Sequence, residues 1–270
     1  MRIAVTAAYA KSLHAIGLIH GLAAAGHEVA LALEVSVWNA ARLRFYLRLL
    51  GWRKLLARAR ARMLGGRRDD DATPEVAPMR EFLREREIRS QTVSQACRAV
   101  GARRLRVRSL NDAAAIHALR AAAPDLVVYA GGGILRRAFI QTPRLGVLNA
   151  HGGPLPAFRG MNAAEWALLH GTPPRVVTIF VDEGVDTGPL LMERPIPIAA
   201  GDGVARLRGV ATRVSVEALL ETVAELGRGE RTARPQRPED GRQHFVMAAP
   251  LVDVLDAWLR EGRTPRRNGA

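Results

Sequence analysis

The sequence predicts an α/β fold built around a mostly parallel central sheet. Three observations carry that expectation. Nearly continuous apolar runs of strand length occur at Arg2–Thr6, Glu28–Leu33 and Asp125–Ala130, the pattern of strands buried on both faces. Helical stretches lie between them, so strands and helices alternate along the chain. Glycines punctuate the helix ends and the strand ends, most densely at Gly131-Gly132-Gly133.

The first third reads as a nucleotide-binding type of α/β start. Arg2–Thr6 is a strand, Ser12–Ala25 a helix with Gly26 as its stop, and Glu28–Leu33 a second strand. Residues 38–64 mix aromatic and basic side chains and end at Gly65-Gly66, and Asp69–Pro78 is a polar loop. Gln91–Val100 reads as a helix, Arg104–Arg108 as a short strand, and Asn111–Ala122 as a helix with Asn111 as N-cap. Asp125–Ala130 is an apolar strand that runs into the glycine triplet.

The middle of the chain is the most patterned. Gly146–Asn149 is a short strand, and His151–Gly160 a loop rich in glycine and proline. Asn162 and Glu165 resemble a capping box opening a helix that stops at Gly171. Arg175–Val181 and Leu190–Ile198 are strands separated by a turn at Asp182–Gly188, and Val204–Leu226 is a long helix ending at Gly227. Residues 1–227 form the expected catalytic domain, and 228–270 a proline- and arginine-rich extension with one helical segment at Leu251–Arg260.

Composition narrows the function classes. The 270 residues are 48% hydrophobic and 24% charged, enough apolar content for a packed core. No apolar run is long enough for a transmembrane helix, and the N-terminus reads as a strand rather than a signal peptide. A single cysteine, Cys97, excludes an internal disulfide and any multi-cysteine metal site, which points to a cytoplasmic setting. Cys97 itself reads as inert core, and no histidine has ligand-like partners, so no metal is expected. The formal net charge is +14. Nucleic acid, an anionic membrane face or an anionic substrate could each exploit it. Lys11 and Lys54 are the only lysines, so the excess is almost wholly arginine, a skew that codon composition also produces.

Three polar residues stand where a core would prefer apolar ones. Asn149 ends a predicted strand, His151 lies two residues on and points to the same side, and Asp186 sits in the turn after Arg175–Val181. Strand ends form the ligand crevice of open α/β sheets. An amide that donates to a developing oxyanion, an imidazole that handles a proton and a carboxylate that orients the imidazole suit acyl transfer. Singly, each has an ordinary structural reading as a loop or turn former. Their joint placement points to catalysis.

The segment Asn149-Ala-His151-Gly-Gly-Pro-Leu155-Pro156-Ala-Phe158-Arg159-Gly160, followed by Val185-Asp186-Thr187-Gly188, resembles the paired signatures of the folate-dependent formyltransferases. The resemblance is good from about Asp125 to Ile198 and holds only in outline in the N-terminal half. It implies a Rossmann-like formyltransferase fold with a short C-terminal extension, and 10-formyltetrahydrofolate as formyl donor to an amine. By motif, Asn149 stabilises the oxyanion, His151 is the general acid and Asp186 the base or electrostatic partner. The folate is expected along Gly131, Gly132, Gly133, Ile134 and Leu135 and along Val181, Asp182, Glu183, Gly184 and Val185, its pterin in an apolar slot.

The departures bear on the acceptor. The family usually has Ser-Leu-Leu-Pro where Gly153-Pro154-Leu155-Pro156 stands, which bears on loop geometry rather than on the reaction. Glycinamide ribonucleotide formyltransferases carry a Gly-x-Gly-Ser phosphate loop; here Ala7-Ala8-Tyr9-Ala10-Lys11-Ser12 lacks those glycines, so no phosphate cradle is expected. Methionyl-tRNA formyltransferases add a C-terminal β-barrel, which the text after Leu226 barely supplies. The expected acceptor is therefore a small-molecule amine: an amino sugar nucleotide, an amino acid or a biosynthetic intermediate. tRNA, or transfer to water as in formyltetrahydrofolate hydrolases, is the alternative. Residues 38–64 fit a helix packed on the sheet, a substrate lid, or a basic helix lying on a membrane surface.

Overall fold

The computed structural model describes residues 1–36, 52 and 73–263; the basic aromatic stretch 38–64 lies, but for Trp52, outside them. The chain opens with β1 (Arg2–Ala7), α1 (Leu13–Ala24) and β2 (Glu28–Val35); from residue 73 on, α2 (Ala77–Glu85) and α3 (Val93–Val100) come first. Next come β3 (Arg103–Val107), α4 (Ala113–Ala122), β4 (Leu126–Val128) and the single turn α5 (Arg137–Ile140). β5 (Gly146–His151), β6 (Phe158–Gly160), α6 (Ala163–Leu169), β7 (Arg175–Phe180) and β8 (Leu190–Pro195) carry the patterned middle. The long α7 (Val204–Arg228), β9 (Arg242–His244) and α8 (Ala249–Arg260) complete it.

Seven strands form one sheet in the order β3-β2-β1-β4-β5-β7-β8. The first five are mutually parallel; β7 and β8 are antiparallel to their neighbours. The mostly parallel α/β sheet expected from the alternation is present. One face carries α1, α2, α3 and α7, packed through Ile16, Ile19, Phe82, Val93, Val216 and Leu219. The other carries α4 and α5 through Leu119 and Phe139. A third cluster joins α6, α7 and α8 against Val176 and Met192.

Several local expectations are corrected. Asn111 does not cap α4; Asp112 occupies that position. Asn111 instead donates to Ile134 O (2.8 Å) and accepts from Arg136 N (2.8 Å), 23 residues away in the loop after β4. Asn162 and Glu165 form no capping box: Asn162 is left-handed (φ 52°) and its side chain donates to the Glu165 carboxylate at 2.8 Å. The capping box present is Thr92 with Gln95, at the start of α3. Pro78 lies inside α2, which the sequence reading missed because that proline, at a first-turn position, looks like a loop marker. α7 runs through Gly227 to Arg228 and stops at Gly229, whose φ of 72° satisfies a left-handed C-cap. Ser12, expected as the first residue of α1, lies just before it as its N-cap.

Candidate active site

β5 extends past β4, so its last residues overhang the parallel edge of the sheet. The two-residue period places Asn149 and His151 on one face of that overhang. His151 is therefore the end of the strand rather than the start of the loop. Asp186 arrives by an unexpected route. β7 is antiparallel, with Leu148 opposite Phe180, so its carboxyl end points away from the edge where β5 ends. The segment 181–189 then doubles back to bring Asp186 to His151. Gly188 permits the fold-back, since a Cβ there would stand 1.8 Å from Phe180 O.

His151 is 6% exposed. Its Nε2 lies 2.7 Å from Phe158 O, and its Nδ1 lies 3.3 Å from Asp186 Oδ2. Both ring nitrogens thus face oxygen atoms of the protein, one a backbone carbonyl and one a carboxylate. Asp186 Oδ2 also accepts from Gly160 N–H at 2.9 Å. β6 therefore holds both residues: its first carbonyl takes His151 and its last amide takes Asp186. Gly160 (φ 91°) is required there, because a Cβ would stand 2.2 Å from His244 O in the paired strand β9.

Asn149 is half-buried and makes no side-chain hydrogen bond among the described residues. It lines a cavity of about 170 Å³ together with Asp186. The cavity walls include Tyr129, Ile134, Leu135, Ile179, Val181 and Val185. Of the residues expected to hold folate, Gly133, Ile134, Leu135, Val181, Asp182, Glu183, Gly184 and Val185 line this cavity. Gly131 and Gly132 do not. Gly131 O accepts from Thr6 Oγ1 at 2.8 Å, and Gly132 (φ 133°) lies so close to Leu110 that a Cβ would be 2.6 Å from its Cδ1. They shape the loop rather than the wall. Asp182 is a turn former, its Oδ1 accepting from Gly184 N (3.0 Å) and Thr187 Oγ1 (2.7 Å). Glu183 is exposed and sits 3.4 Å from Arg137.

Sequence reasoning missed four contributors. Tyr129 and Ile179 line the cavity, Asn111 pins its glycine loop, and Gln236 in the tail reaches the Asp186 turn. Tyr129 O–H donates to Gly133 O at 2.8 Å; a lone phenol in an otherwise apolar strand was the available signal. A second, larger cavity of about 540 Å³ surrounds the first turn of α1 and includes Lys11, Ser12, His14, Glu75, Arg80 and Gln91. Tyr9 on its wall follows Ala8, which lies against Gly131. His14 lines it; burial lowers its pKa to about 4, and its Nε2 is enclosed without a partner. Cys97 is buried, and burial raises its thiol pKa to about 11. Among the described residues no cluster of three potential metal ligands is found, and no helix is long and apolar enough to cross a membrane.

The fold is that of a Rossmann-like α/β protein whose fifth strand ends in Asn-x-His beside a returning aspartate. Residues 78–223 match the formyl transferase family, and the chain belongs to it. A methionyl-tRNA formyltransferase of a Synechococcus species is 39% identical over 155 residues, 57% of this chain and 47% of that protein. Another, from Chloroflexus aggregans, is 33% identical over 198 residues, 67% and 64% of the two chains. The chain thus spans about half the length of the first of these relatives. Among solved structures, glycinamide ribonucleotide transformylase 1 from Symbiobacterium toebii aligns with a TM-score of 0.56 at 20% identity, covering 88% of this chain and 94% of that one. A sugar N-formyltransferase from a Shewanella species gives 0.56 at 13%, covering 96% and 87%. These likenesses establish the fold.

Proposed function

We propose that this protein transfers the formyl group of 10-formyltetrahydrofolate to the amine of a small-molecule acceptor. The observation that carries the reading is the contact of His151 with Asp186 beside an Asn149 amide that has no side-chain partner among the described residues and lines an apolar cavity. In this reading the cavity takes the pterin, with glycine backbone at Gly133 and Gly184 allowing close approach of a flat heterocycle. Asn149 donates to the formyl oxygen as negative charge develops there. Asp186 receives the proton released by the attacking amine, and His151 returns a proton to the departing folate nitrogen. The family to which the chain belongs supports the donor, and the residues of the cavity fit it.

The small-molecule acceptor is supported by the second cavity. Its Lys11, Ser12, Glu75 and Gln91 offer hydrogen bonds of both senses to a compact polar ligand. Residues 1–227 serve as the catalytic domain, and 228–270 as an extension whose β9 completes the small sheet under the site. A second reading has an observation of its own: the curated relatives are named methionyl-tRNA formyltransferases, and a net charge of +14 suits a polyanion. Incubation with 10-formyltetrahydrofolate and, separately, a panel of small amines and aminoacylated tRNA decides between them. Tetrahydrofolate is followed optically and the acceptor by mass. Formylation of tRNA alone would sink the small-molecule reading, and tetrahydrofolate release that needs no amine would indicate hydrolysis.

A further inference from the structure

Asp186 stands at φ 53°, in the left-handed region that non-glycine residues seldom occupy. Such a conformation costs about 1–3 kcal/mol and persists where surrounding contacts impose it. Here they come from two sides. Gly160 N–H of β6 holds the carboxylate. From the tail, Gln236 Nε2 donates to Asp186 O at 2.9 Å and to Gly188 O at 2.6 Å. Both amide hydrogens are used on the two carbonyls that flank Thr187. That fixes the amide's orientation, since a flipped group would set Oε1 against two carbonyl oxygens. The tail is itself anchored on both sides of Gln236. Arg234 exchanges backbone hydrogen bonds with Leu190 of β8 at 2.7 and 2.8 Å, and β9 pairs with β6. Gln236 is absent from the walls of the donor cavity, so it reaches the chemistry through Asp186 alone.

We infer that Gln236 is a positioning residue: its two hydrogen bonds clamp the 186–188 turn so that Asp186 stays left-handed with its carboxylate on His151. Without the clamp the turn relaxes toward an ordinary backbone conformation, and the carboxylate swings off the imidazole. The inference rests on the formyl-transfer reading for its kinetic consequence, but not for its structural one.

The test compares Gln236→Ala and Gln236→Glu with Arg237→Ala, an exposed neighbour in the same tail. Glutamate keeps the size of glutamine but turns a carboxylate on two carbonyls. In both Gln236 variants kcat should fall about 10- to 100-fold, the scale of a slight misplacement of a reacting group, while KM for 10-formyltetrahydrofolate moves less than about threefold. In unliganded protein labelled with ¹⁵N-histidine, the ring resonances of His151 should shift while those of His20 and His117 stay in place. Arg237→Ala should match wild type in every measurement. An unchanged kcat, a loss expressed wholly in KM, or unmoved His151 resonances in folded variants would overturn the clamp. The spectra need no turnover. A wild-type protein that fails to use the formyl donor would therefore remove the functional reading and leave the clamp to be judged by NMR.

Discussion

Strand β5, where the parallel and antiparallel parts of the central sheet meet, treats a polar group differently from the strands on either side of it. In the parallel part, β3-β2-β1-β4, the polar side chains inside the sheet are tied off by the protein itself. Thr6 donates to Gly131 O and accepts from Ala130 N, both within 2.9 Å. Glu34, 2% exposed, lies between Arg104 at 2.9 Å and Arg106 at 3.1 Å. In the antiparallel part, Thr178 is likewise satisfied by Thr222 and Met192 N. Asn149 on β5 is not: its amide faces the cavity with its hydrogen bonds unused among the described residues. Burial of a polar group therefore does not by itself mark chemistry. A group whose hydrogen-bonding capacity is left open toward a cavity does.

The sharpest way to break that distinction is at the His151–Asp186 pair. His151→Ala and Asp186→Asn should each lower turnover by about 10² to 10⁴, the range of general acid–base contributions. Thermal unfolding should show both variants folded, since β5 and the 181–189 turn keep their backbone contacts. A variant that retained more than a tenth of the wild-type rate would show that the pair is as structural as Glu34 with its arginines.

Asn149 carries the next largest effect. Removing one oxyanion donor costs about 10² to 10³ in kcat, and Asn149→Ala should fall in that range. Asn149→Asp should fall further, because it replaces a donor with a negative acceptor of the same size. Affinity of the Ala variant for a folate analogue, measured by titration, should change less than about tenfold, since the lost bond belongs to the transition state. Binding weakened as much as turnover would make Asn149 a ground-state contact, and its open amide would then mark a ligand site without marking a catalyst.

How much of this was readable in the sequence follows from the range of the interactions involved. Parallel strands advertise themselves as apolar runs, so the sheet was legible, and the Asn149-x-His151 spacing gave the shared face of β5 directly. The direction of β7 was not legible, because an apolar run carries no sign of its orientation. The path of Asp186 was lost with it. Asn111 and Gln236 were missed for a related reason. Their partners lie 23 and about 50 residues away in sequence, and a local reading assigns Asn111 to the nearest helix as a cap. Gly131 and Gly132 were expected beside the folate because glycine backbone lets a flat heterocycle approach closely. Their close packing against Ala8 and Leu110 is a tertiary fact.

His14, on helix α1 packed against the parallel part, tests it from the side, because its Nε2 is enclosed with no partner among the described residues. Burial lowers its pKa from 6.5 to about 4, so the folded protein binds fewer protons than the unfolded chain between those values. The stability present above pH 6.5 is therefore lost as the pH falls toward 4, by about 2–3 kcal/mol from this residue. His20, His27 and His244, whose pKa values burial also lowers, add the same sign. Urea titrations of wild type and His14→Leu at pH 7 and pH 5 isolate the term: the variant should lose less stability between the two. Equal losses would mean that His14 is solvated or paired in solution, and the parallel part would then hold no exception.

The smallest effect is expected at Glu34, where the comparison makes its most specific claim. Removing one member of a buried ion pair ordinarily costs about 3–5 kcal/mol, because the remaining charge is stranded. Here the partners Arg104 and Arg106 are 31% and 58% exposed, so water takes them back when the carboxylate is gone. Glu34→Gln keeps the shape and one acceptor oxygen, and should lower stability by about 1 kcal/mol, nearer the value of an exposed pair. Turnover should stay within about twofold of wild type, since strand β2 contributes nothing to the cavity beside Asn149. Chemical denaturation and steady-state kinetics on the same preparation measure both quantities. A tenfold loss of turnover at undiminished stability would mean that a fully satisfied buried carboxylate, three strands from the proposed chemistry, is coupled to it. Hydrogen-bond satisfaction would then fail as the property that separates structural polar groups from functional ones in this sheet.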